Sequence, residues 1–380
     1  MALSGQNTRV LLIDDSKLAR AVIKDTLLEM NMSVTECYNG QEGLDALKDN
    51  PFDIILVDTV MPVMDGLEFL KEIKNSNSKE FIPTILMTGN DDLNSKIKGL
   101  NVGADDFLQK PVNQKELVAR VMSLLRLKRT HDLLYIKNQL IEKELQAAKK
   151  VQEYIIPQDF SHISYPFITG KYVPMENIGG DFFDCYPIGN DESGILIADV
   201  TGHGIPAALI VTMTKMLFNV YAGKYSSSSE LLTKVNSDIK NMLLENQYIT
   251  AFYCIYNKAS GILKFTNAGH VRPLFYRKRT GKIHLLDTGG FFLGILDDAQ
   301  YEQKSIRVEK GDRLLLVTDG VTELKNYNKE DFGEQRLAKF LTDNIHISGK
   351  SFCDSLFSSL TSYIQGSERN DDIAYLNIEF

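Results

Sequence analysis

From Asn113 to Ile156 the chain contains neither glycine nor proline, and the next proline is Pro157. The stretch is rich in Leu, Lys, Glu, Gln and Ala, which lose little side-chain freedom in a helix and so favour it. Leu127, His131, Leu134, Asn138, Ile141, Leu145, Ala148, Gln152 and Ile155 recur at alternating spacings of four and three. That is a heptad seam, along which two copies of the helix can pair in parallel. His131, Asn138 and Gln152 are polar positions in the seam, and such positions weaken pairing while fixing register and strand number. The alternative is a single amphipathic helix packed on its own domains. The preferred reading is a dimer helix joining an input unit to an output unit. It divides the chain into residues 1–125, a helical, coiled-coil linker over 126–156, and residues 157–380.

A chain of 380 residues has room for two domains and a connector. Hydrophobic and charged contents of 43% and 24% are those of a soluble globular protein. A formal charge of −8 argues against a nucleic-acid surface. The short basic run 126–129 reads as a solvated helix face, and no helix-turn-helix follows the first domain. Cys37, Cys185, Cys254 and Cys353 form no C-x-x-C and read as buried thiols in a reducing compartment. No apolar run reaches the roughly 18–20 residues of a membrane span, and the N-terminus has no signal pattern. The expectation is a cytoplasmic protein without a membrane partner.

Within the first 125 residues, buried-type apolar runs near 9–13, 33–37, 52–57, 81–87 and 104–108 alternate with helical spacing over 17–30, 40–48, 66–75, 91–101 and from 113 onward. Such alternation implies a doubly wound parallel α/β sheet of the flavodoxin-like kind. Sites in these sheets lie beyond the carboxyl ends of the strands. Asp14, Asp15, Asp58, Thr88 and Lys110 all fall there. Three converging carboxylates repel one another unless a hard cation such as Mg²⁺ lies between them.

With Asp14-Asp15, the run Asp58-Thr-Val-Met-Pro-Val-Met-Asp-Gly66, Thr88 and Phe107-Leu-Gln-Lys110-Pro111, residues 7–125 resemble a two-component response-regulator receiver domain. The resemblance implies that Asp58 accepts a phosphoryl group from a sensor histidine kinase or phosphotransfer protein. It implies Mg²⁺ on Asp14, Asp15, Asp58 and the backbone carbonyl of Thr59. Thr88 and Lys110 would contact the phosphoryl group, and Phe107 would be the aromatic that changes rotamer.

After Pro157 the pattern turns to strands in runs around a central helical pair, Ile205 to Ala222 and Ser229 to Leu244. Helices near 334–341 and 352–364 precede a last strand at 373–378. This predicts an α+β domain, a β-sandwich of two antiparallel sheets flanked by helices. Aspartates again sit beside glycines at strand ends: Gly179-Gly-Asp181, Asp199-Val-Thr-Gly-His203, Asp319-Gly320 and Asp371-Asp372.

Asn177-Ile-Gly-Gly-Asp-Phe-Phe-Asp184, Ala198-Asp-Val-Thr-Gly-His-Gly-Ile-Pro-Ala-Ala208, Thr266-Asn-Ala-Gly-His270, Val317-Thr-Asp-Gly-Val-Thr-Glu323 and Asn370-Asp-Asp-Ile-Ala374 together resemble the PPM family of PP2C-like, metal-dependent serine/threonine phosphatases. Within it they are similar to the bacterial stress-response and sporulation branch. The resemblance implies two Mn²⁺ or Mg²⁺ ions. Asp181 would ligate one, Asp199 with the carbonyl of Val200 would bridge both, and Asp319 and Asp371 would complete the ligands of the second metal. Glu323 is assigned to a third ion. Asp372 rivals Asp371 and Asp184 rivals Asp181, although strand alternation places Asp181 and Asp184 on different faces. His203 reads as helix-start packing rather than a general acid, and His270 as structural or at the substrate edge. No arginine matches the phosphate cradle of eukaryotic relatives.

The function implied is a response regulator whose phosphorylation at Asp58 controls hydrolysis of a phosphoserine or phosphothreonine protein, with a phosphorylated anti-sigma-factor antagonist as substrate. The alternative is a phosphorylation-controlled adaptor that binds without catalysis; such a protein is free to lose the aspartates retained here.

Overall fold

The computed structural model describes residues 8–75, 81–89, 102–366 and 369–380. Two compact units result, Met1–Ile141 and Glu142–Phe380.

In the first unit, β1 (Arg9–Ile13), β2 (Ser33–Cys37), β3 (Ile54–Asp58), β4 (Thr84–Thr88) and β5 (Asp106–Gln109) form one sheet in the order β2-β1-β3-β4-β5. Every neighbouring pair is parallel. Helices α1 (Lys17–Glu29), α2 (Gly40–Asp49) and α3 (Gly66–Asn75) alternate with the strands. Successive residues of a strand point to opposite faces. Val10 and Leu12 therefore join one apolar cluster with Ile23 and Leu27 of α1, while Leu11 and Ile13 join another with Phe69 and Leu70 of α3. Burial on both faces is why these strands are unbroken apolar runs. The strands expected from 52, 81 and 104 begin at Ile54, Thr84 and Asp106. Apolar runs mark burial, whereas a strand begins where its neighbour offers a partner. The helix expected over 91–101 lies outside the described residues.

Helix α4 (Gln114–Ile155) starts where the Asn113 side chain accepts the backbone N–H groups of Lys115 and Glu116. It stops before Pro157, whose ring cannot continue a helix. In the first unit, Leu117, Val121 and Leu124 of α4 are buried against the sheet. Farther along, Leu127, Leu134 and Ile141 of the heptad seam remain 51%, 55% and 44% exposed. Gln152 departs from the seam reading, since it is buried within its own chain. Its Nε2 donates to the Gly179 carbonyl at 2.7 Å and its Oε1 accepts the Gly179 N–H at 3.1 Å. A carboxamide carries both a donor and an acceptor, so it satisfies both sides of one backbone residue.

The second unit stacks two antiparallel sheets. One runs β13 (Lys304–Arg307), β10 (Ile262–Ala268), β9 (Ile249–Asn257), β8 (Glu192–Val200), β7 (Asp181–Ile188). The other runs β12 (Lys282–Leu285), β11 (Leu274–Arg277), β14 (Arg313–Val317), β15 (Ile373–Glu379), β6 (Phe167–Val173). Phe252 from the first and Leu314, Leu316 and Leu376 from the second share one core. Helices α5 (Ile205–Tyr221) and α6 (Ser228–Ile239) join that core through Phe218, Leu231 and Val235. The expected extension of α6 to Leu244 instead becomes a 3₁₀ turn at Lys240–Met242. A short helix α7 (Asp319–Thr322) precedes α8 (Gly333–Asp343) and α9 (Gly349–Ile364). The latter two cover the second sheet, where Leu337, Phe352 and Leu356 meet Leu315, Val317 and Tyr375. Phe352 is fully buried, with Arg313 stacked on its ring at 4.7 Å. Phe352→Ala is expected to destabilise this unit by about 3–5 kcal/mol, the usual cost of emptying a core aromatic site. Urea unfolding followed by circular dichroism measures it, and a loss below about 1 kcal/mol would contradict this packing.

Candidate active site

The carboxyl ends of β1 and β3 place Asp14, Asp15 and Asp58 together. Each offers an oxygen within 4.8 Å of the other two. Asp14 and Asp58 are buried, and Asp15 is exposed. Lys110, just after β5, bridges the buried pair, with Nζ 2.7 Å from Asp14 and 2.6 Å from Asp58. Burial raises the pKa of Asp58, with Lys110 opposing the shift and Asp14 adding to it. Thr88 ends β4 with its hydroxyl buried and without a hydrogen-bond partner among the described residues. A buried hydroxyl left unpaired is costly unless a ligand completes it. The Thr59 carbonyl accepts the Gly66 N–H at 3.1 Å, so one of its two lone pairs is already engaged within the loop. Phe107 lies on β5 with the Arg120 guanidinium 5.3 Å from its ring centre. Three close oxygens beside a phosphoryl-sized set of donors suit a small divalent cation.

The second group forms at one end of the sandwich. Antiparallel pairing sets Asp181 of β7 opposite Asp199 of β8. Directly opposed residues project to the same face, which brings these two carboxylates together. Asp319 follows β14 and Asp371 precedes β15; the adjacent Thr318 N–H bonds to the Ala374 carbonyl at 3.0 Å and holds those two ends side by side. Asp199, Val200, Asp319, Glu323 and Asp371 line one cavity of about 570 Å³. Asp181 is not in the lining; it is buried, with Oδ2 unpartnered among the described residues.

Burial, together with Asp319 and Asp371 nearby, pushes Asp199 up to about 7. Burial, then Asp371 and Glu323, push Asp319 up to about 6. Asp181 is raised well above the ordinary range by burial and by Asp199. Among the described residues the first unit's triad is the set of three whose oxygens lie within 4.8 Å, so the second unit's carboxylates are more widely spaced. Their carboxylate oxygens are ligands of the kind a hard divalent ion takes.

The adjacent candidates separate cleanly by their contacts. Asp372 is buried, and its carboxylate accepts the N–H groups of Met175 and Gly180, both at 2.7 Å, and of Asp181 at 3.3 Å. Asp371, by contrast, faces the cavity. Asp184 pairs with Lys215 of α5 at 2.7 Å. His203 is exposed outside the cavity lining, with Nδ1 3.8 Å from Glu176. His270 is buried at the cavity edge, where Nδ1 lies 2.7 Å from the Thr250 hydroxyl. Burial lowers its pKa to about 4, so its ring is neutral near pH 7. Sequence inspection missed Arg272, which also lines the cavity. Its only local signal is its place two residues after the Asn-Ala-Gly-His motif.

The family described as stage II sporulation protein E (SpoIIE) matches residues 189–380, and the response regulator receiver domain matches residues 10–122. Protein IcfG of a Synechocystis species is 26% identical over 270 residues, 64% of this chain and 42% of IcfG. The chain thus spans less than half the length of that relative. Phosphoserine phosphatase RsbU of Bacillus subtilis is 28% identical over 247 residues, 65% of this chain and 72% of RsbU. The SiaA-PP2C domain of Pseudomonas aeruginosa superposes with a TM-score of 0.58 at 21% identity, covering 64% of this chain and 98% of that one. This last likeness shows that the second unit has the PP2C-like fold.

A folded-state pKa raised above the unfolded value gives stability that is complete below the unfolded pKa and lost as pH rises through the folded one. Asp199 at about 7 and Asp319 at about 6 both exceed the ordinary aspartate value of about 3.9. In chelator, the second unit should therefore lose thermal stability between about pH 5 and pH 8. Mn²⁺ or Mg²⁺ added at the upper end should restore it. Scanning calorimetry checks this; a melting temperature that rises over that window in chelator would contradict it.

Proposed function

Since the chain belongs to the SpoIIE family and carries a receiver domain ahead of the matched region, we propose that it is a response regulator whose phosphorylation at Asp58 controls a metal-dependent protein serine/threonine phosphatase. The observation that carries the reading is the convergence of Asp199, Asp319 and Asp371 on one cavity, with Asp181 buried beside Asp199 and its Oδ2 without a hydrogen-bond partner among the described residues. The proposed boundaries are 1–125, 126–156 and 157–380.

In the receiver, a histidine kinase or phosphotransfer protein would supply the phosphoryl group. Asp58 is its acceptor, and Lys110 and the Thr88 hydroxyl are the donors that meet it. Asp14, Asp15, Asp58 and the free lone pair of the Thr59 carbonyl would hold Mg²⁺. Phe107 is the aromatic switch, and its contact with Arg120 on α4 gives it a neighbour on the connecting helix.

In the phosphatase, Asp181, Asp199, the Val200 carbonyl, Asp319 and Asp371 would hold two Mn²⁺ or Mg²⁺ ions, with Glu323 at a third. Bound divalent ions lower the pKa of water and neutralise phosphoryl charge. The protein's part is to fix the ligand positions, and neutral His270 adds no positive charge at the cavity edge. RsbU is named a phosphoserine phosphatase. By that likeness the substrate is a phosphoserine or phosphothreonine protein, and an anti-sigma-factor antagonist in a partner-switching pathway is the specific class proposed. No helix among the described residues is long and apolar enough to cross a membrane.

The test is hydrolysis of an aryl phosphate with Mn²⁺ or Mg²⁺. Asp199→Ala should lower the rate by about a hundredfold or more, and a beryllofluoride mimic on Asp58 should change it. Equal background rates for wild type and Asp199→Ala would favour the adaptor reading. A rate indifferent to the mimic and to Asp58→Ala would remove the receiver as the switch.

The exposed Leu127, Leu134 and Ile141 support a parallel homodimer through α4, because apolar side chains on one seam gain by mutual burial. Replacing all three with Lys should convert a dimer to a monomer in sedimentation velocity. A wild-type chain that stays monomeric at every concentration would sink this reading.

A further inference from the structure

The cavity has an electrostatic difficulty. Five carboxylates line it, those of Asp199, Asp319, Glu323, Glu334 and Asp371. A phosphate monoester is an anion and must come to rest among them. Among the described lining residues, Arg272 is the only Arg or Lys.

Arg272 is set in place by a rigid turn. The Asn267 side chain donates to the His270 carbonyl at 2.9 Å and accepts the His270 N–H at 2.7 Å. Gly269 has φ +71°, and a Cβ there would lie 2.2 Å from the Phe292 ring, so the turn requires glycine. His270 anchors the far side through Thr250. The Asn-Ala-Gly-His motif thus presents the residues that follow it to the cavity. One nitrogen of Arg272, Nη2, reaches both oxygens of Glu334 at 3.1 and 3.2 Å. Its Nε and Nη1 make no hydrogen bond among the described residues. Both side chains are half-exposed, at 47% and 38%. Exposed pairs of this kind hold weakly and can exchange partners. A guanidinium presents a planar fork that matches phosphate oxygens.

We propose that Arg272 binds the phosphoryl group of the substrate in this cavity, and that Glu334 is its counter-ion when no phosphate is present. This rests on the phosphatase reading above. It assigns to this chain a phosphate-binding arginine carried on the turn before β11.

Inorganic phosphate is the probe, with the full chain loaded with Mn²⁺. Its inhibition constant against aryl phosphate hydrolysis is measured, and its binding is titrated by calorimetry, which needs no turnover. Arg272→Ala should weaken phosphate binding by about tenfold or more, the usual effect of losing a charge-assisted bond, and should raise KM by a larger factor than it lowers kcat. Arg272→Lys should recover part of the affinity, since it keeps the charge and loses the fork. Glu334→Gln should tighten binding by freeing the guanidinium. Equal phosphate affinity in wild type and Arg272→Ala, at matched melting temperatures, overturns the proposal. If Arg272→Ala does not fold, unchanged affinity in both Arg272→Lys and Glu334→Gln overturns it. A wild-type chain with no hydrolysis above Asp199→Ala rejects the phosphatase reading separately, and the calorimetric comparison still decides the role of Arg272.

Discussion

Three backbone N–H groups, those of Met175, Gly180 and Asp181, converge on the buried carboxylate of Asp372. Hydrogen bonds to an ionised acceptor are stronger than neutral ones. They tie the loop before β7 to the start of β15, across the two sheets. The fit is close enough to select glycine on both sides. A Cβ on Gly179 would lie 1.8 Å from an Asp372 oxygen, and one on Gly320 would lie 1.8 Å from the Asp372 carbonyl. Asp181, Asp319 and Asp371 all flank this knot, so their convergence depends on it. The acidic cavity is organised by a carboxylate that does not line it.

The end of α4 grips the same loop from another side. Gln152 satisfies both backbone groups of Gly179, two residues before Asp181. Lys215 of α5 donates to the Ile155 carbonyl that closes α4 and pairs with Asp184 of β7. A displacement of this helix end would leave buried backbone groups unpaired, at a cost of about 1–3 kcal/mol each. In the second unit the connecting helix is therefore bonded directly to the loop that leads into the strand carrying Asp181.

The two acidic groups answer the same repulsion differently. In the first unit Lys110 stands between Asp14 and Asp58 as an internal cation. In the second, Asp181 and Asp199 face each other with no lysine or arginine among the described residues paired to either, and burial together with their neighbours raises both toward protonation. Arg272 is at the rim, paired with Glu334 rather than with the inner carboxylates. Charge neutralisation of the inner group is thus left to protons or to ions from solution.

The sequence by itself determined the layers and offered the acidic candidates. Unbroken apolar runs require burial on both faces, so the parallel sheet was legible from runs such as Val10 to Ile13. The aspartates were legible because acidic residues beside glycines at strand ends have few structural uses in such number. Tertiary structure alone separated Asp371 from Asp372, since adjacent residues of one type share every local signal and differ only in what they meet. It also moved Gln152 out of the heptad seam, because spacing reports which face of a helix a residue occupies and not which surface covers that face. Arg272 was invisible for a related reason. Its partner Glu334 is 62 residues away, and the cavity they share exists only once distant strand ends have been brought together.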